Sequence, residues 1–305
     1  MSLIAYKNEA FSEENVSSSL GKALQDLFAL TARKSFSVST EDEATILSAR
    51  AAASAMVSEY FDRMVVQAAE RRRNLETFEG VRFVSIGEDC FSRTVLTQWG
   101  VKPFAKLGEK SGPFDLSVHP ITTTATLFET DFAGYLDRAN LVFNPNYNFC
   151  TNPKLKVGFN HEVGPSYAEN DFAPLIEIYE RRLAHFRALM EADAPTVLVC
   201  HVQRPSAGTG THIARLWQAI RSRWSVDNKI LVAIKTWRHG ETALPSATVD
   251  DPRVAVLDLH YPAEDYVWHL PKYCFTRDGF AFERQVVDFV KQASGRLVAR
   301  AALAA

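Results

Sequence analysis

From Val81 onward this chain alternates short, nearly continuous runs of Val, Ile and Leu with longer segments of helical spacing, and that rhythm constrains its fold more than any other feature. The runs at 82–86, 196–200, 230–234 and 254–257 predict strands. The stretches at 121–135, 172–191, 211–223 and 280–292 predict helices. Strands that stay apolar at successive positions are buried on both faces, as in parallel sheets. The expected fold class is therefore α/β, with a mostly parallel, Rossmann-like sheet flanked by helices.

The first 76 residues carry almost no strand signal and predict a helical N-terminal extension, at 1–76, ahead of an α/β domain at 77–305 that holds the candidate active site. A long helical pattern runs from 40 to 75, with Thr40 and Glu43 at capping-box spacing. Val57, Tyr60, Phe61, Met64, Val65 and Ala68 recur at spacings of three and four and form one apolar stripe. That stripe must be buried. It either covers the main domain, which the lack of a sustained heptad repeat favours, or meets a second copy in a homodimer through these helices. Between 140 and 166 the rhythm breaks into Pro, Asn, Gly and aromatic residues, and the segment predicts a long ordered loop over the sheet edge.

With 47% hydrophobic and 23% charged residues over 305 positions, the chain can bury a large core. A formal net charge of −2 lacks the basic footprint of nucleic-acid binding, and Arg71-Arg72-Arg73 reads as a solvated helix end. Cys90, Cys150, Cys200 and Cys274 are too scattered for a zinc site or a disulfide framework, so a reducing, cytoplasmic setting is expected, with no metal and no cofactor. Residues 1–16 are mixed and acidic, unlike a signal peptide, and no apolar run approaches membrane-spanning length, so no membrane partner is expected.

The chemistry concentrates around Cys90. The run from Val81 to Ile86, then Gly87-Glu88-Asp89, then helical spacing from Phe91 to Trp99, predicts a strand, a tight turn and a helix with Cys90 at its start. Unpaired N–H groups and the positive end of the helix dipole favour an anion there, which is how a thiol becomes a nucleophile. Free cysteine is also a common small core residue, so the position by itself leaves both roles open.

Ligands of open parallel sheets collect beyond the carboxyl ends of the strands. After the first predicted strand come Gly87, Glu88 and Cys90; after the second, His201, Gln203 and Arg204; after the third, Lys235, Trp237 and His239; after the fourth, Asp258, His260 and Tyr261. Asp115 lies in a Lys110-Ser111-Gly112-Pro113-Phe114-Asp115 turn, where it either caps the next element or orients a catalytic group. His161 and Glu162 sit on the long loop. The turn from Ser206 to Thr211 lacks the Walker lysine and the complete dinucleotide fingerprint.

Taken together, Ser85-Ile86-Gly87 with Cys90, Ser111-Gly112-Pro113-Phe114-Asp115, Phe159-Asn160-His161-Glu162 and Glu264-Asp265-Tyr266-Val267-Trp268 resemble the pattern of a bacterial family of uncharacterised proteins labelled papain-like cysteine peptidases. The resemblance spans about 83 to 270, with Ile86, Leu116 and Glu162 standing where the family pattern has leucine, tryptophan and aspartate. It implies a cysteine-nucleophile assignment carried by Cys90, His161 and Asp115. Papain-like folds carry an antiparallel sheet, whereas the alternation here predicts a parallel one, and the alternation decides the fold.

Two functional expectations follow, with an interaction protein whose long amino-terminal helix is the working surface as a third. In the first, a cysteine hydrolase or acyltransferase acts on a small-molecule or peptide substrate: Cys90 attacks a carbonyl, His161 or, in reserve, His201 moves the proton, and Asp115 or Asp265 orients the imidazole. Gly87, Glu88, Arg204 and Trp268 are the expected substrate-binding residues. In the second, the protein is a non-peptidase that binds a sugar, nucleotide or carrier-linked phosphate through Arg204 and the turn at 208–211, with Cys90 structural.

Overall fold

The computed structural model describes residues 55–245 and 249–304. In chain order these form α1 (Ala55–Thr77), β1 (Arg82–Ser85), α2 (Phe91–Gln98), α3 (Ile121–Glu129), β2 (Val142–Asn144), β3 (Phe149–Asn152), β4 (Val157–Val163), α4 (Glu169–Glu191), β5 (Thr196–Gln203), α5 (Thr209–Arg223), β6 (Lys229–Trp237), β7 (Val254–His260), α6 (Pro271–Cys274) and α7 (Arg277–Ala304). The chain divides into two compact units. An α/β unit comprises Gly80–Thr94, Lys110–Glu264 and the chain from Val286, and a helical unit comprises the described residues up to Glu79, Val95–Glu109 and Asp265–Gln285.

In the α/β unit, four parallel strands make a sheet in the order β1-β5-β6-β7, flanked by helices, as the alternation requires. The order follows the chain without reversal. All four predicted strands are present, and β5, β6 and β7 extend three residues past the predicted ends. β6 is buried along its whole length, which is why its sequence shows no alternation. Val84, Ile86, Leu198, Cys200, Leu231 and Ala233 share one sheet face and belong to a core with Phe114, Phe128, Phe186 and Trp217. Within that core Phe128 stacks on Phe186 at 5.5 Å and Phe114 meets both rings edge-on. Burying rings of this kind stabilises the fold by about 1.5–3 kcal/mol each. Phe114 thereby anchors the segment that leads from Gly112 to His119.

The segment at 140–166 differs from its expectation. It is a three-stranded antiparallel sheet, β2-β3-β4, joined by turns in which Asn148 and Lys156 take left-handed backbone angles. Strands of three and four residues are too short to show a period of two. β4 is longer, but its pairing with β3 shifts register, so 159–162 lack alternation as well. The helix predicted at 172–191 begins earlier in outline, yet Asn170, Asp171 and Phe172 are all left-handed, and regular helix starts next to Pro174, as proline at a helix start allows.

In the helical unit, Phe61 and Met64 of the α1 stripe are buried, Tyr60 meets the Phe275 ring edge-on at 5.3 Å, and Asn74 Nδ2 donates to Trp99 O. The helical pattern at 40–54 and the Thr40–Glu43 capping box lie outside the described residues. Of the three consecutive arginines, Arg72 and Arg73 are exposed as expected. Arg71 is not: its Nε donates to Gln98 O at 2.6 Å, and burial lowers its pKa to about 10. Gly100 makes this approach feasible, since a Cβ there would stand 2.4 Å from Arg71 O. Among the described residues no helix is long and apolar enough to cross a membrane.

Candidate active site

β1 ends at Ser85, and the chain turns through Ile86, Gly87, Glu88 and Asp89 into α2. Gly87 lies so close to β5 that a Cβ would be 2.4 Å from His201 N, while Glu88 N donates to His201 O at 3.0 Å. The turn is thus pressed against the carboxyl end of the neighbouring strand. Glu88 fixes it from the side: one carboxylate oxygen accepts from Ile121 N at the start of α3, the other from Gln203 N at the end of β5. Burial nonetheless raises the Glu88 pKa above the ordinary carboxylate value. Glu88 is therefore committed to backbone donors and acts as a brace.

Asp89 Oδ1 accepts from Phe91 N at 3.0 Å, a turn bond that satisfies the first free N–H of α2, and meets His201 Nδ1 at 2.7 Å. His201 is fully buried, and its Nε2 lies 2.8 Å from Thr236 Oγ1 of β6. A carboxylate only accepts, so Nδ1 carries a proton and Nε2 is the basic nitrogen when the ring is neutral. The Phe91 ring stacks on the imidazole with centroids 4.2 Å apart. Cys90 therefore lies between two residues that both grip the same histidine. It is half-buried, and its carbonyl accepts from Thr94 N as the first bond of α2. Cys150, Cys200 and Cys274 are buried, and burial raises the pKa of all three thiols.

The positive end of α2 was expected to favour a thiolate, but Asp89 places a carboxylate at that same end. A bare thiolate beside it is disfavoured by like charge.

The other expected residues fall elsewhere. His161 is exposed on β4 of the antiparallel sheet, within the stretch where the β3–β4 register shifts. Its neighbour Glu162 is buried and engaged by Arg182 at 2.7 Å and by the Tyr179 hydroxyl at 2.8 Å. Asp115 is 2% exposed; its Oδ2 accepts from Gly112 N at 2.7 Å, which makes it the brace of its own turn. Asp265 and Trp268 belong to the helical unit, where Asp265 accepts from the Tyr273 hydroxyl. Arg204 is exposed at the end of β5, with a left-handed φ of 54° and its N–H on Thr236 O. Gly208 precedes α5 with no side-chain cap.

Two of the residues hydrogen-bonded to His201 escaped the sequence reading. Asp89 was legible as an aspartate at a helix start, an N-cap signal. Thr236 gives no signal, because a threonine in a buried strand is ordinary. Nor is His119 a base: it is buried between Ser117 Oγ and the Tyr135 hydroxyl, and burial lowers its pKa to about 3. Comparison with protein-family models, with curated proteins and with solved structures finds no match for this chain.

Proposed function

We propose that the protein is a cysteine-nucleophile hydrolase or acyltransferase in which Cys90 is the nucleophile, His201 the base and Asp89 the residue that orients it. The observation that carries this reading is the 2.7 Å contact between His201 Nδ1 and the carboxylate of the residue immediately preceding Cys90. The reading keeps the nucleophile implied by the family resemblance and replaces its base and acid with His201 and Asp89.

In this mechanism the Cys90 thiol displaces the Thr236 hydroxyl from His201 Nε2 and transfers its proton there. The sulfur adds to a carbonyl carbon, and first-turn N–H groups of α2 hold the oxyanion. As the intermediate collapses, the carbon–leaving group bond breaks and the leaving group takes the proton from Nε2. Water or an acceptor nucleophile then cleaves the thioester, using the same nitrogen as base. Catalytic hydrogen bonds commonly form fully only with substrate present, and in this mechanism the Cys90–His201 bond forms in that way, replacing the resting 2.8 Å contact to Thr236.

Alkylation tests the reading directly. At pH 7 iodoacetamide should modify Cys90 faster than free cysteine, and His201→Asn should slow that reaction by an order of magnitude or more, about the weight of an oriented general base. Rates equal to free cysteine in both proteins would favour the second reading, in which the buried Asp89–His201–Thr236 chain only ties β1, β5 and β6 together and the sheet edge binds a phosphate-bearing ligand.

A further inference from the structure

The arginines of the α/β unit are distributed unevenly in their pairing. Arg138, Arg181, Arg182, Arg187, Arg215, Arg221, Arg223 and Arg253 all stand within 4.0 Å of a carboxylate. Among the described residues of that unit with described side chains, Arg82, Arg93, Arg204 and Arg238 make no ion pair. Arg82 starts β1, at the amino edge of the sheet. The other three are at the opposite edge: Arg93 in the first turn of α2, Arg204 directly after β5 and Arg238 directly after β6.

Arg204 and Arg238 are both exposed, and they follow strands that are hydrogen-bonded neighbours, with Gln203 opposite Thr236 in the register. The Arg204 N–H binds Thr236 O, while the side chain of that threonine holds His201. Tyr261, whose N–H binds Trp237 O, links the same groups: its hydroxyl oxygen is buried near Thr236, Gln203, Asp89 and Arg204. Of the acidic groups at this edge, Glu88, Asp89, Glu241 and Asp258 are engaged, Asp258 with Lys235 at 2.8 Å, and Glu264 beyond β7 is exposed. Glu88 accepts two backbone N–H groups, Asp89 holds His201, and the Glu241 carboxylate accepts the backbone N–H of Arg238. His239 and His260 of the same edge bond to backbone carbonyls. Arg204, three residues after His201, and Arg238, two after Thr236, thus put exposed side chains without an ion pair at the carboxyl edge of the sheet, in a chain whose net charge is −2. Guanidinium forks match carboxylate and phosphate oxygens.

We propose that the carboxyl edge of the parallel sheet receives a substrate bearing an anionic group, a carboxylate or a phosphate, held by Arg204 and Arg238. The assignment rests on Cys90 being the nucleophile of this edge. It defines the substrate class: the carbonyl attacked by Cys90 belongs to a molecule that also carries a negative charge.

A pair of alkylating reagents that differ in charge separates the two claims. Iodoacetate is anionic and iodoacetamide neutral, so the ratio of their rates at Cys90, divided by the same ratio for free cysteine, reads attraction of anions to the site. At low ionic strength this normalised ratio should be about tenfold above one, within the range of electrostatic focusing in charged clefts, and should fall as salt is added. In the R204Q/R238Q double variant it should approach one. A ratio near one in the unsubstituted protein, or a raised ratio that survives the double substitution, overturns the proposal. Cys90 reacting no faster than free cysteine with iodoacetamide, while the ratio still collapses in the variant, overturns the nucleophile and leaves the anion site standing. Protection of Cys90 by inorganic phosphate but not acetate, or the reverse, tells the two anions apart. If alkylation is too slow to follow, melting provides the second measurement at constant ionic strength. A rise in Tm with phosphate or acetate that disappears in R204Q/R238Q sustains the anion site, and equal rises in both proteins overturn it.

Discussion

A Cβ placed on Gly87 would stand 2.4 Å from the backbone nitrogen of His201, closer than real Cβ atoms come to backbone. This approach sets the spacing between the turn that carries Cys90 and the strand that carries its proposed base. Gly87→Ala should therefore cost about 1–3 kcal/mol through overpacking. It should also slow Cys90 alkylation, since the backbone must move apart. Chemical denaturation gives the first quantity and the labelling rate the second; a protein as stable and as reactive as the original would show that the approach constrains nothing.

Thr236→Val keeps the shape of the side chain and removes the partner of a fully buried imidazole nitrogen. The expected loss is about 1–3 kcal/mol, the usual penalty for leaving a buried polar group unsatisfied. Thr236→Ser should recover most of it, because the hydroxyl returns. Urea melts of the two variants distinguish a hydrogen bond from mere packing, for which valine would be neutral.

Within the helical unit Glu283 is fully buried, accepting from Trp99 Nε1 at 2.8 Å and from the Tyr266 hydroxyl at 3.4 Å, and burial raises its pKa to about 8. The folded protein holds this proton more tightly than the unfolded chain, so the contribution is complete below about pH 4.5, the ordinary carboxyl value, and is lost as pH rises toward 8. Between those limits stability should fall by roughly 1 kcal/mol per pH unit from this group. Glu283→Gln should flatten that slope in denaturant melts taken from pH 5 to pH 8. A slope unchanged by the substitution would assign the pH dependence to other residues.

Tyr179 ties three segments of the α/β unit, since its hydroxyl donates to Glu162 Oε2 at 2.8 Å and lies 3.2 Å from Leu116 O, with the Arg182 guanidinium 4.5 Å over its ring. Tyr179→Phe leaves the ring and deprives buried Glu162 of one partner, for an expected loss of about 1.5–3 kcal/mol, the range for hydrogen bonds to charged groups. Arg182→Leu should be worse, because it strands the carboxylate that Arg182 now neutralises at 2.7 Å. The order of the two midpoints in a thermal melt checks the claim.

Much of the scaffold was legible before any coordinates. β1, β5, β6 and β7 announce themselves as runs of branched apolar residues because both faces of each strand must be covered, and α3 and α5 because only one face of each is. The antiparallel sheet at 142–163 was not legible, since strands this short, with a register shift between β3 and β4, carry no repeat. Cys90 was recognisable from the order strand, glycine, polar turn, helix. The base proposed for it was ambiguous in the sequence: His161 shares the motif-like Phe159-Asn160-His161-Glu162 run, while His201 sits in a strand with nothing around it to mark a base.

The amino-acid sequence by itself determined the parallel sheet, its flanking helices and the thiol at the start of α2, because hydrophobic period, turn chemistry and helix capping are written in residues within a few positions of one another. Only the tertiary structure decided that Asp89 meets His201 across 112 positions, that Thr236 caps the same ring, and that Arg204 and Arg238 share one edge. Such pairings depend on the order and register of strands far apart in the chain, and hydrogen bonds of this range leave no local pattern from which to read them.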